Sequence, residues 1–152
     1  MFDFKKGVIL FHLYLLFVTS ECQRIYCNEF LSPKKLITRG SRVDVIQLPL
    51  RGDKYSRNQL CEWVIECKEA ETIVLEVKMC SIQDRDIHGQ CNKDYVNIFD
   101  VRNGETVFMD RFCGTDEGMV YQSSGSTMIV RFFSDNVYEY SGFRLSYRAE
   151  KA

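Results

Sequence analysis

The sequence holds only 2 prolines and 2 histidines in 152 residues. So little proline excludes collagen-like and proline-rich low-complexity chains. No charge of one sign prevails: 20 basic side chains stand against 21 acidic ones, for a net charge of -1. There is then no global electrostatic pull toward nucleic acid or an anionic membrane. No apolar run reaches the ~20 residues that a membrane-crossing helix needs. The HExxH, GxSxG, P-loop and dinucleotide patterns are all missing, so no familiar catalytic signature is present. No Asn-x-Ser/Thr sequon occurs either, and N-glycosylation is not expected. What is there is 45% hydrophobic, 27% charged and 13% aromatic residues. That composition can bury the core of one domain and is not that of a disordered chain.

Residues 1–22 read as an export signal. Lys5 and Lys6 make a positive start, Val8 to Val18 is an apolar run of 11 residues, and Val18-Thr19-Ser20 offers small residues for cleavage. Cleavage is expected after Ser20 or Cys22. Residues 23–42 are basic and weakly patterned, and read as an irregular N-terminal arm. Residues 43–149 read as the folded domain. The mature product is expected to be soluble, secreted and extracellular, with no membrane span.

Seven cysteines are present: Cys22, Cys27, Cys61, Cys67, Cys80, Cys91 and Cys113. In an exported chain they imply a disulfide framework. Losing Cys22 with the signal would leave an even number, whose spacing alone does not choose the pairs. Zinc is the competing use. No CxxC pair exists and the mature chain offers only His88 as a nitrogen ligand, which argues against it.

From Val43 onward, apolar residues alternate with polar ones. Cys61, Trp63, Ile65 and Cys67 form one such set, and Ile73, Leu75, Val77 and Met79 another. Tyr95 to Phe99, then Met128, Val130 and Phe132, then Phe143, Leu145 and Tyr147 follow. A period of two with β-branched and aromatic residues signals half-buried strands. Arg102-Asn103-Gly104-Glu105, Ser123-Ser124-Gly125-Ser126 and Ser141-Gly142 supply turn chemistry between them. The expected class is all-β, an antiparallel sandwich or barrel.

The ordered residues carry a family resemblance. They run Ile46-x-x-Pro49, Tyr55, Cys61-x-Trp63-x-Ile65, Ile73-x-Leu75-x-Val77, Cys91-x-x-Asp94-Tyr95-Val96-x-Ile98-x-Asp100 and Phe112-Cys113-Gly114. Ser123-Ser124-Gly125, Met128-x-Val130-x-Phe132-x-Ser134-Asp135 and Gly142-Phe143-x-x-x-Tyr147 complete the set. From about Ile46 to Tyr147 the chain resembles the CUB domain, an extracellular module. The resemblance implies a disulfide-stapled antiparallel β-sandwich of jelly-roll-like topology. It implies bridges Cys27–Cys61 and Cys91–Cys113, and leaves Cys67 and Cys80 over as the remaining pair. Trp63, Phe132 and Phe143 are expected in the core.

Many CUB domains hold one Ca²⁺ at an end of the sandwich, and the resemblance assigns its ligands here. Asp94 matches the CxxD position and Asp135 the Ser-Asp position. The position of the family's glutamate falls on Gln83 or on Asp86, depending on the side from which the loop is aligned, with Asp84 a further candidate. Arg85 could instead neutralise the site. Hard carboxylate oxygens on loops suit Ca²⁺; the alternative is that Asp94 and Asp135 only cap loops. In calcium-binding members a partner's lysine reaches the acidic ligands. By that resemblance Asn136, Tyr138 and Tyr140 would form the contact surface, unless the two tyrosines pack locally.

The expected function is that of a non-enzymatic, single-CUB binding module for an extracellular protein. The alternative is a small lectin-like or glycosaminoglycan-binding protein of the spermadhesin type, for which carbohydrate would be the partner. That reading needs Lys34, Lys35, Arg39 and Arg42 to act as one basic face. Arg51-Gly52-Asp53 reads either as an integrin-recognition tripeptide or as an ordinary solvated turn. His88 is expected as an exposed loop residue.

Overall fold

A computed structural model describes residues 25–26, 34–38, 42–68 and 71–151. The expected export segment, Cys27 and Arg39 lie outside the described residues. The described residues form ten strands and no helix. In chain order these are β1 (Ile25–Tyr26), β2 (Lys34–Ile37), β3 (Asp44–Leu48), β4 (Gln59–Glu66) and β5 (Glu71–Ser81). Then come β6 (Tyr95–Arg102), β7 (Glu105–Phe112), β8 (Val120–Gln122), β9 (Thr127–Phe133) and β10 (Gly142–Lys151). One sheet runs β1-β4-β9-β6-β7, with β2 also on β4; the other runs β3-β10-β5-β8. The pairs are antiparallel except β1 and β2, which run parallel to β4.

The alternation seen in the sequence is the reason for two packed sheets. On β4, Cys61, Trp63 and Ile65 point inward, as do Met128, Val130 and Phe132 on β9. Ile73, Leu75 and Val77 of β5 and Phe143, Leu145 and Tyr147 of β10 answer from the second sheet. Trp63 meets Phe143 edge-on with ring centroids 6.0 Å apart, and Phe143 lies 5.4 Å from Phe132. These three residues are core, as the pattern implied.

Several strands escape the alternation rule: on β5 a register shift leaves Lys78 extra, so Met79 faces outward and Cys80 inward, and β7 and β2 depart from it as well. β7 carries Val107, Phe108 and Met109 in succession, and a register shift sets Ile98 opposite Asp110 but Phe99 opposite Phe108. Met109 is the extra residue of a bulge, which breaks the period of two. Its turn, Asn103-Gly104, has φ of 51° and 82°, the left-handed pair a two-residue hairpin turn requires. β2 comes from the segment expected to be irregular. It adds to the exposed edge of β4, with Lys34 opposite Trp63 and Ile37 opposite Glu66. An edge is joined through backbone groups, so the added strand needs little side-chain pattern.

Cys91 and Cys113 are bridged, with Cα atoms 5.7 Å apart. The bridge closes the open end of the β6–β7 hairpin, and a loop of this size stabilises by about 3 kcal/mol. Cys61 is also disulfide-bonded. Cys67 and Cys80, expected as the remaining pair, are both free thiols. Cys67 follows β4 and bonds the carbonyls of Glu71 and Ser126 at 3.4 and 3.6 Å. Cys80 lies far along β5 from Glu71, about 30 Å away at the rise of a strand. A disulfide needs Cα atoms within about 7 Å. Burial raises both thiols, and that of Cys80 stands at about 12, so neither is a ready nucleophile at neutral pH.

Two outcomes follow. Alkylation without reduction, read by peptide mass spectrometry, should label Cys67 slowly in the native protein and Cys80 only after unfolding. Gly142 has φ of +87°, and a Cβ there would sit 1.9 Å from the Leu48 carbonyl oxygen. Gly142→Ala should therefore cost at least about 2 kcal/mol, a drop of roughly 5 °C in melting temperature. Gly125→Ala, where a Cβ meets its nearest atom at 3.8 Å, should change it little.

Candidate functional site

Three loops meet at one end of the sandwich, and each is aimed by the strand it enters or leaves. Asp94 directly precedes β6, Asp135 follows β9, and Tyr55 lies on the connection from β3 to β4. Asp94 is fully buried, because it sits on the last inward position before the core residue Val96. The Tyr55 hydroxyl donates to Asp94 Oδ2, and the Asp135 backbone N–H donates to Asp94 Oδ1 at 2.7 Å. Tyr55 is itself buried, with its ring edge-on to Phe132 at 5.1 Å. Asp135 accepts the Val137 N–H at 2.8 Å, and its carbonyl accepts the Asn58 N–H at 2.7 Å. Both expected aspartates thus lie in one cluster, joined to each other through a backbone hydrogen bond.

Gln83 joins this cluster from another side. Its main chain lies by the Tyr55 hydroxyl and lowers that phenol against the effect of burial, and its backbone carbonyl accepts the Gly114 N–H at 3.0 Å. Its side-chain Oε1 is buried and has no hydrogen-bond partner. Asp86 is engaged elsewhere. It accepts the N–H groups of His88 and Gln90, each at 2.8 Å, and the Asn92 amide at 2.7 Å. Those bonds shape its own loop, in which His88 is exposed as expected. Arg85 turns to Asp116 and to the Gly89 carbonyl, so it does not neutralise Asp94. Asp84 is exposed, and its charge is felt at the Tyr140 hydroxyl. Among the described residues no three His, Cys, Asp or Glu side chains converge as a metal site would require. The structure joins two carboxylates here, Asp94 and Asp135, and the candidate third donor is the buried Gln83 amide oxygen. All are hard oxygen donors of the kind Ca²⁺ accepts, with one negative charge fewer than three acids would give.

The electrostatics follow from burial. Desolvation holds the Asp94 carboxyl above its usual range, against the hydrogen bonds from Tyr55 and Asp135 that pull it down; the Asp135 charge pushes the same way as burial. Burial, then the bond to Asp94, raises the Tyr55 phenol far above its ordinary value. Tyr140 is raised by burial, then by Asp84, Tyr138, Asp94 and Asp135. Acidic groups therefore dominate the surroundings of these hydroxyls.

The expected contact residues divide. Asn136 and Tyr138 are exposed. Tyr140 is half-buried, stacked at a tilt against Tyr55 at 6.5 Å, and its carbonyl accepts the Tyr55 N–H at 3.1 Å. Tyr140 supports the loop and Tyr138 faces outward. The basic face is weak: Lys35 pairs with Glu66 at 2.7 Å and Arg42 with Asp44 at 3.2 Å. Lys34 is exposed, and Arg39 lies outside the described residues.

Asp94 sets a pH dependence. The folded state holds this proton more tightly than the unfolded chain does. Stability contributed by the group is present at low pH and lost as pH rises from the ordinary aspartate range through the raised folded value. In chelator, the melting temperature of Asp94→Asn should lack this share of the decline, as a pH series of thermal scans would show.

Comparison with known proteins agrees with this architecture. The CUB domain family matches residues 40–147. Tolloid-like protein 1 of Mus musculus is 27% identical over 131 residues, which is 86% of this chain and 12% of that protein. The Cubilin homolog of Drosophila melanogaster is 32% identical over 106 residues, 70% of this chain and 3% of that protein. The chain thus spans a small fraction of the length of these relatives. The crystal structure of the MASP-1 CUB2 domain bound to Ca²⁺ superposes with a TM-score of 0.63 at 24% identity, covering 77% of this chain and 98% of that one. With the two sheets, the Cys91–Cys113 bridge and residues 40–147 all in agreement, the chain belongs to the CUB domain family.

Proposed function

We propose that this chain is a secreted, non-enzymatic module that binds an extracellular protein at its Asp94–Asp135 end, and that a calcium ion organises that end. The observation that carries the reading is the buried Asp94 carboxylate tied to Asp135 through a backbone hydrogen bond; Gln83, whose main chain lies by Tyr55, adds a buried side-chain oxygen with no hydrogen-bond partner among the described residues. A buried acceptor without a donor costs free energy, and an ion that accepts oxygen ligands would satisfy it.

Asp94, Asp135 and Gln83 would hold the ion, which supplies positive charge between the loops. The chain's own residues do the rest. Tyr55 fixes the Asp94 rotamer, Asp135 ties the β9 end to the β3–β4 loop through Asn58, and Tyr140 closes the loop over Tyr55. A partner's lysine would meet these carboxylates, with exposed Tyr138 and Asn136 at the rim. Loops braced by a rigid sandwich are where binding residues commonly lie. Gln83 in place of an acid makes the site weaker, since affinity follows ligand charge.

Thermal unfolding with Ca²⁺ and with chelator tests this. At a hundredfold excess over Kd, stabilisation of about 2.7 kcal/mol is expected, or roughly 5–10 °C. Asp94→Asn and Asp135→Asn should each remove the shift. Gln83→Glu should move the calcium midpoint to about tenfold lower concentration. Indifference of both the parent and Gln83→Glu to millimolar Ca²⁺ would overturn the calcium reading.

A further inference from the structure

We propose that Arg51-Gly52-Asp53 is a presented recognition turn for an integrin-type receptor, which takes the Asp53 carboxylate on a receptor-held divalent cation and the Arg51 guanidinium on acidic side chains. The inference does not depend on calcium at Asp94.

The tripeptide occupies the apex of the loop between β3 and β4, and all three residues are exposed. Among the described residues neither Arg51 nor Asp53 has a hydrogen-bond or ion-pair partner, and they do not pair with each other. Opposite charges so close in sequence would ordinarily be free to neutralise one another. Unpartnered and both exposed, they can serve two separate pockets. Gly52 has φ of +80°, a backbone state that disfavours a side chain, and no atom lies within 4 Å of where a Cβ would stand. Nothing beyond its chain neighbours crowds the turn at Gly52. Leu50, 73% exposed, adds an apolar flank.

Both ends of the loop are anchored. Leu48 is buried and paired with Phe143 of β10. At the other end Tyr55 is buried, and its N–H donates to the Tyr140 carbonyl at 3.1 Å. The Ser56 carbonyl accepts the Ser134 hydroxyl at 2.9 Å. A cleft of about 210 Å³ lies between the anchors, lined by Leu48, Pro49, Tyr55 and Ser56 and, from the turn itself, by Leu50, Arg51 and Lys54. A charged turn held between fixed points loses less conformational freedom on binding than a free tail would. Association depends on the acid at Asp53 at its present reach, because a metal-bound carboxylate tolerates little displacement.

The test is solid-phase binding of the purified protein to an immobilised integrin ectodomain of the Arg-Gly-Asp-binding class, in Mn²⁺. Saturable binding is expected, displaced by a short linear Arg-Gly-Asp peptide. Asp53→Glu keeps the charge and lengthens the side chain, and should weaken binding about tenfold or more. Lys54→Ala should bind as the parent does. Both variants should keep the parent's melting temperature and its response to Ca²⁺, which separates loss of the turn from damage to the Asp94 end. Peptide competition replaces chelation as the specificity readout, because chelator would strip receptor and module alike. Absence of saturable binding, equal binding by Asp53→Glu, or indifference to the peptide would each overturn the proposal.

Discussion

The hydrogen bond from the buried Tyr55 hydroxyl to the buried Asp94 carboxylate is the contact on which this end of the molecule depends. A carboxylate withdrawn from water must be satisfied by donors, or its charge is too costly to keep. Tyr55 and the Asp135 N–H are those donors, and they arrive from two other segments of the chain. Satisfying one acid therefore locks the start of β6, the end of β9 and the β3–β4 loop together. Tyr55 also belongs to the core. Its ring meets Phe132, which meets Phe143, which meets Trp63. A line of aromatic contacts thus joins the centre of the sandwich to the charged loops at its rim.

The same end combines two kinds of surface. Around Asp94 the groups are acidic, recessed and held by main-chain bonds. On the β3–β4 loop, Arg51 and Asp53 stand out into solvent on a turn anchored by the same Tyr55. Elsewhere charge is mostly balanced locally. Arg111 lies over the Tyr95 ring at 3.8 Å and bonds Asn97 and the Cys91 carbonyl, while Arg131 pairs with Glu62. These contacts cover the outer face of the β6–β9 region and leave the charged loops as the distinctive feature.

Legibility differed by level. Strands with one buried face were plain in the sequence, because side chains alternate across a pleated sheet. β7 was not, since the Met109 bulge breaks that alternation. β2 was not, since edge pairing is made by backbone. At the site, Asp94 and Asp135 were legible through the CxxD and Ser-Asp spacing. Tyr55 was legible as part of the pattern but not as the donor to Asp94, because that contact joins residues 39 apart in sequence. Gln83, Asp84 and Asp86 were open alternatives in the sequence, and only the structure shows that Asp86 is engaged by its own loop while the Gln83 side-chain oxygen is buried without a partner among the described residues.

By itself, then, the order of apolar residues, turns and cysteines determined an all-β sandwich with Trp63, Phe132 and Phe143 inside, and singled out Asp94 and Asp135, which the fold brings together. Those are local or periodic properties, and a linear chain displays them directly. The tertiary structure alone decided which thiols stay free, which acid is buried, and where Arg85 sends its charge. Each of those depends on distances between strands that no spacing in the chain encodes. Cys67 and Cys80 show the difference: they are close enough in sequence to invite a bridge, and one extended strand carries them apart.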